Sequence, residues 1–172
     1  MAFLNFLLLF TLLSSFHFPS HGIDQNKTLE PMIMKACDKI QNQDSCFLNL
    51  QSQVKSYGHH SPDSVLRAAL QHTLNEASSA SEALTKFTTL SISPREQMAI
   101  DDCKELLDFS VSELAWSVDE MNRIHAGLKN PHSEGNLKAW LSAALSNQDT
   151  CLEGFEGTDR RLEHFIREVY RK

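Results

Sequence analysis

The chain is poor in residues that interrupt helices. Its 172 residues hold six glycines and five prolines, and beyond an apolar leader nothing alternates apolar with polar in the way a half-buried strand requires. Strand content should be near zero. Tryptophan and tyrosine are sparse, with two of each. The one long apolar run, Phe3 to Leu13, is too short to cross a bilayer, and no second run follows. Gly-x-Ser-x-Gly elbows, phosphate-binding glycine loops and His-Glu-x-x-His are all absent, which removes the commonest signatures of hydrolase, nucleotide and zinc-protease chemistry. No cysteine lies two to four residues from another, so the spacing of a structural zinc site is missing too. Neither a metal nor a cofactor is expected.

What is present begins with the leader. Its apolar stretch has the length of a signal-peptide core, and Ser20-His21-Gly22 places small residues at the first and third positions before Ile23, as a signal peptidase prefers. We expect residues 1–22 to be a signal peptide and 23–172 to be the mature, secreted domain. The leader has no Lys or Arg ahead of its apolar core, so an uncleaved anchor is the alternative. Asn26-Lys27-Thr28 is an N-glycosylation sequon in an N-terminal segment expected to be exposed. About 150 residues remain, enough for one domain with a real core. Against 22 acidic residues stand 16 basic ones, none of either kind in the leader, for a formal net charge of −6. Nucleic acid, anionic membranes and polyanionic polysaccharides are repelled by such a surface, whereas a basic protein is attracted.

Four long helical segments follow from their start signals and apolar spacing. Ser61-Pro62 supplies an N-cap and a proline at the first helical position, and Leu66, Leu70, Thr73, Ala77, Ala80, Leu84 and Phe87 then recur at steps of four and three, in a run to about Ile92. Ser93-Pro94-Arg95-Glu96 repeats the signal as a capping box. Behind it Ile100, Cys103, Leu107, Ser110, Leu114, Ser117, Met121, Ile124 and Leu128 keep a heptad seam, with Gly127 as the stop. A third run opens near Asn136 and carries Leu137, Leu141, Ala144, Gln148 and Cys151 on one stripe. A fourth opens at Thr158 or Asp159 and should bury Leu162, Phe165, Ile166, Val169 and Tyr170. Residues 29 to 57 read as two shorter helical pieces broken around Asn42 to Ser45. The expected architecture is all-α: an up-and-down four-helix bundle preceded by an N-terminal helical hairpin.

The four cysteines admit three pairings. Cys103 and Cys151 sit on inward stripes and can meet across the bundle, while Cys37 and Cys46 are close enough in sequence to clip the hairpin. In a secreted chain these are disulfides.

Asp101 to Leu107 (Asp-Asp-Cys-Lys-Glu-Leu-Leu) and Trp140 to Phe155 (Trp-Leu-Ser-Ala-Ala-Leu-Ser-Asn-Gln-Asp-Thr-Cys-Leu-Glu-Gly-Phe) resemble the plant invertase/pectin methylesterase inhibitor family. The second stretch is most similar to the inhibitor-like pro-regions of pectin methylesterases. The resemblance covers roughly Leu29 to Ile166, and it implies the same fold and the same pairing of first with second and third with fourth cysteine. It also implies inhibition rather than catalysis: a one-to-one complex covers the enzyme's substrate cleft and limits demethylesterification of cell-wall pectin. The partner would be pectin methylesterase, in the apoplast, with no direct binding of pectin by the inhibitor. By local match the family's contact residues fall on Glu105, Thr150 and Glu153. Each has a plainer reading, as a solvated helix charge for the glutamates and as a hydroxyl bonded to its own helix for Thr150.

Two features depart from the family pattern. The family's last helix usually runs several turns further than the 21 residues between Cys151 and Lys172 allow, which leaves apolar seam on its neighbours exposed. The Pro-Lys-Phe motif of apoplastic invertase inhibitors is missing from the linker Lys129 to Gly135, and Thr85-Lys86-Phe87 lies mid-helix. Pectin methylesterase is therefore favoured over invertase as the target. A detached pro-region, acting on maturation of a catalytic domain, is the other open reading. Gln148-Asp149-Thr150 superficially resembles a catalytic segment of the esterases but belongs to the cysteine motif. His59-His60 is expected in a solvated loop, and Trp116 and Trp140 at packed or partly exposed helix positions.

Overall fold

The computed structural model describes residues 25–38, 42–57, 61–87 and 93–169, and most of those residues are helical. In chain order the helices are α1 (Gln25–Cys37), α2 (Gln43–Ser56), α3 (Pro62–Phe87), α4 (Pro94–His125), α5 (Ser133–Gly154) and α6 (Arg160–Val169). No strand occurs among the described residues. The leader, His59-His60 and Tyr170 lie outside them.

The chain falls into two compact units that divide between His72 and Thr73, inside α3. In the first, α1 and α2 each present a stripe at four-residue spacing: Leu29, Ile33 and Cys37 on one, Cys46, Leu50 and Val54 on the other, packed with Val65 and Ala68 of α3. Residues four apart stack on one face of a helix, so two such stripes close on each other. Cys37 and Cys46 are bonded, with their Cα atoms 5.8 Å apart. Asn42 starts α2, its Oδ1 accepting from the Ser45 amide at 3.2 Å. The break between the helical pieces thus comes slightly before the Asn42–Ser45 position expected. Asn26 falls in the first turn of α1.

The second unit draws one core from four helices: Ala80 and Leu84 of α3, Ile100, Cys103 and Leu107 of α4, Cys151 of α5 and Ile166 of α6, with Phe155 just beyond α5. The helix ends explain its length pattern. Ser61 Oγ accepts from the Ser64 amide at the start of α3, and the Ser93 capping box is complete, with the Glu96 amide donating to Ser93 Oγ at 3.3 Å and the Ser93 amide to Glu96 Oε2 at 2.8 Å. At the other end of α4, Gly127 takes a φ of 76°. The Leu128 amide reaches back to the Arg123 carbonyl at 2.8 Å and the Gly127 amide to that of Ile124 at 3.0 Å, the paired bonds of a Schellman turn. Leu128, placed on the seam by periodicity, lies past this turn and is 59% exposed. α5 opens at Ser133 rather than near Asn136. The reason is a side-chain turn, in which the Asn130 amide donates to Ser133 Oγ and the His132 amide to Asn130 Oδ1.

α4 and α5 run antiparallel. Cys103 meets Cys151, Ser110 Oγ donates to the Ala144 carbonyl at 3.3 Å, and Trp116 meets Trp140, so positions advance along one helix as they retreat along the other. Small side chains make this close approach possible: Ser110 and Ser117 are buried, and each hydroxyl also bonds a carbonyl one turn back. α6 is ten residues long. Ile166 is buried and Leu162 partly so, but Phe165 is exposed, contrary to the burial expected of it. An amphipathic stripe buries only as far as its neighbours reach.

Candidate partner interface

The site is built around the Cys103–Cys151 bond, which joins α4 to α5 with Cα atoms 4.5 Å apart. Both cysteines are almost wholly buried. A residue two positions along a helix is rotated about 200°, so Glu105 and Glu153 project away from the seam that holds the cysteines, and both are exposed. Thr150 is exposed as well, and its Oγ1 donates to the Ser146 carbonyl at 2.9 Å. The bond to its own helix is therefore made, while the hydroxyl oxygen keeps its acceptor capacity.

Charge is concentrated here. Residues 101–108 of α4 and 149–156 at the end of α5 carry seven carboxylates, namely Asp101, Asp102, Glu105, Asp108, Asp149, Glu153 and Glu156, against one ammonium, Lys104. Six are exposed and Asp149 is half-buried. Lys104 is already engaged, donating to Asp108 Oδ2 at 2.8 Å. That bond, with a second from the Ser81 hydroxyl at 2.7 Å, holds the Asp108 carboxyl below its usual range.

A network next to this surface fixes its frame. Arg95 Nη2 donates to the Glu156 carbonyl at 2.7 Å, and the Asp159 amide donates to Glu96 Oε1 at 3.1 Å. The start of α4 is thereby tied to the connection between α5 and α6. The Ser93 backbone amide first, then the Ser93 hydroxyl and the Asp159 amide, lower the Glu96 carboxyl, while the Arg161 amide lowers that of Asp159. Further along, Glu113 behaves oppositely. Burial raises it, even though Asn147 Nδ2 donates to its Oε2 at 3.1 Å.

Among the described residues no group of three or more His, Cys, Asp or Glu side chains is placed to hold a metal ion, and no helix is long and apolar enough to cross a membrane. Sequence reasoning missed one polar residue, Glu120, which is buried at 6% exposure on α4. Flanked by Asp119 and three residues before Arg123, it carried no signal of burial in the sequence. Trp116 is exposed and Trp140 half-buried.

Residues 31–171 match the model of the family described as plant invertase/pectin methylesterase inhibitor. Over 146 residues, 79% of this chain, the sequence is 49% identical to an Arabidopsis thaliana protein named pectinesterase/pectinesterase inhibitor 22, but covers 27% of that protein. It is 32% identical over 158 residues to pectinesterase inhibitor 9 of the same plant, covering 89% of this chain and 76% of that one. A Prunus persica relative named pectinesterase/pectinesterase inhibitor PPE8B is 37% identical over 99 residues, which are 57% of this chain and 19% of its own. The chain spans about a quarter or less of the relatives whose names join both terms. No solved structure matches it.

Proposed function

The chain belongs to the plant invertase/pectin methylesterase inhibitor family, and from that premise we propose that it is a secreted protein inhibitor of pectin methylesterase, not itself an enzyme. One inhibitor covers the substrate cleft of one enzyme and limits demethylesterification of cell-wall pectin. The supporting observation is the surface around Cys103–Cys151, seven carboxylates against one engaged ammonium. Such a surface attracts a basic enzyme over several ångströms of water and repels its polyanionic substrate. Glu105, Thr150 and Glu153 are the contact residues in this reading. Its place of action is the apoplast, reached through cleavage of the leader, with Asn26 glycosylated on the way.

A second reading has its own support. The relatives whose names join pectinesterase with pectinesterase inhibitor are several times longer than the stretch this chain matches, which fits a pro-region that restrains a catalytic domain during maturation. An invertase inhibitor is the third reading, and the missing Pro-Lys-Phe linker counts against it.

Titration decides. The oxidised chain, expressed through a secretory host, should abolish the activity of a plant pectin methylesterase saturably near one equivalent at pH about 5.5, and leave an invertase untouched. Inhibition should weaken as ionic strength rises, because salt screens the attraction between exposed carboxylates and a basic enzyme. Equal inhibition constants at low and high salt would remove the role given to these carboxylates. A chain that melts cooperatively yet leaves the esterase active would overturn free inhibition in favour of the pro-region reading.

A further inference from the structure

Thirteen residues beyond Cys103 on α4, about 20 Å along the helix at 1.5 Å per residue, Trp116 faces Trp140 of α5. Their ring centroids are 5.9 Å apart and their planes are tilted by 53°. Together with Asp119, Glu120 and Arg123 they line an open cleft of about 380 Å³. Two features of this cleft are costly as they stand. Trp116 leaves 52% of its surface in water. Glu120 is 94% buried, taking the complement of its 6% exposure, and its Oε1 accepts no hydrogen bond among the described residues. The Oε2 atom lies 3.7 Å from Arg123 Nε, beyond hydrogen-bond reach. Among the described residues Oε2 is thus held by an ion pair with Arg123 alone, and a buried carboxylate oxygen with no donor, as Oε1 is, is costly to a protein.

We propose that this cleft receives an arginine side chain from a basic segment of a protein partner. The guanidinium is the group that answers both features: its flat face lies against an indole, and its N–H fork reaches a carboxylate. An ammonium lacks the plane and a sugar lacks the charge, while anions are turned away by Asp119 and Glu120. The two oxygens of a carboxylate are equivalent and turning about the last torsion only exchanges them, so the guanidinium answers the site through its fork, which can bond both oxygens at once. Arg123 is the resident competitor, and it stands too far off to satisfy the site. This surface lies apart from Glu105, Thr150 and Glu153, and its test does not involve the esterase.

The full oxidised chain is titrated with the blocked peptide Gly-Arg-Gly-Arg-Gly and with its citrulline counterpart, following the indole N–H resonances of Trp116 and Trp140. The arginine peptide should shift both resonances saturably, and the uncharged citrulline peptide should not. Glu120→Gln should raise the midpoint about tenfold by removing the charge-assisted bond. Trp116→Ala, at a half-exposed position that spares the fold, should abolish the response at Trp140. An equal response to citrulline, no saturation by the arginine peptide, or midpoints unchanged in both variants would overturn the proposal. So would saturation by a galacturonate oligosaccharide where the peptide gives none.

Discussion

At the disulfide end of the α4–α5 pair, carboxylates face water around a closed apolar seam, whereas at the tryptophan end an indole faces water and a carboxylate is buried beside it. The two ends use the same residue types in opposite solvent environments. Charge held in water costs little to display and acts at a distance, drawing an oppositely charged protein into approach. A desolvated carboxylate beside an aromatic face acts only on contact, and so discriminates by the shape of the donor that reaches it. On the two proposals above, the first arrangement would set how fast the esterase arrives, and the second which donor its own partner could bring.

The comparison breaks most severely if the disulfide is removed. Replacing Cys103 and Cys151 together by alanine opens a loop with a sequence separation of 48, and chain-entropy arithmetic puts the loss at about 4 kcal/mol. The melting temperature should drop by tens of degrees or the unit should fail to melt cooperatively. The corresponding change at Cys37 and Cys46, separated by 9, should cost about 2.5 kcal/mol. Calorimetry of the two double variants tests the order.

Reversing charge sharpens the contrast without touching the fold. Glu105→Lys with Glu153→Lys should weaken esterase inhibition by about 10- to 100-fold, mostly through slower association, and leave the response of Trp116 to the arginine peptide unchanged. Stopped-flow association at two ionic strengths would read this directly. An equal loss at both ends would mean that the reversal had disturbed the bundle.

Ser93→Ala removes the hydroxyl half of the capping box and should cost about 1 kcal/mol, read as a lower denaturant midpoint. Its pH dependence has a definite sign. Glu96 and Asp108 are held below their ordinary values in the folded chain, so their stabilisation is present above the unfolded carboxylate range and is lost as pH falls through their lowered values. Acid melting should therefore steepen below about pH 4, and Ser93→Ala should flatten only the part that the Ser93 hydroxyl contributes, since the Ser93 backbone amide and the Asp108 contacts remain.

The smallest effect lies between the two ends. Glu113 is raised by burial, so the folded chain keeps its proton to higher pH than the unfolded chain does. Stability is lost as pH rises from the ordinary carboxylate value through the raised one. Glu113→Gln removes that penalty and should raise the melting temperature by about 1 °C at neutral pH while changing nothing at pH about 3. A melting temperature unchanged at both pH values would show the Glu113 carboxylate to be as well solvated as those near the disulfide.

Much of this was legible in the residues. The seam from Ile100 to Met121 is buried as its spacing required, and the disulfides join Cys103 to Cys151, as their inward stripes suggested, and Cys37 to Cys46, as their nearness in sequence suggested. The Ser93 box was readable because its chemistry is local. Periodicity failed where a face ran out of neighbours: it names the residues that share a side of a helix but not where that side stops being covered. Leu128 and Phe165 are exposed for this reason. The start of α5 was misplaced because the Asn130–Ser133 turn is held by side chains bonding backbone, a pattern with no apolar rhythm to betray it. Glu120 reads as an ordinary solvated charge beside Asp119, and only the three-dimensional pairing of Trp116 with Trp140 shows why it is buried. At the disulfide end, the acidic residues of 101–108 and 149–156 could be counted from sequence and brought together through Cys103 and Cys151, whereas the engagement of Lys104 by Asp108 could be seen only in the structure.

Helix α6 sets a limit of another kind. Ten residues do not hold a helix in water by themselves, so α6 persists while Leu162 and Ile166 rest on the core and Glu96 holds the Asp159 amide. Lifting it away breaks few interactions compared with separating α4 from α5. Its amide hydrogens should accordingly exchange at a lower free energy than those of the long helices, as the least protected cooperative segment of this unit. In the presence of protease, the survival of the chain then follows the frequency with which this one small segment opens, long before the bundle itself melts.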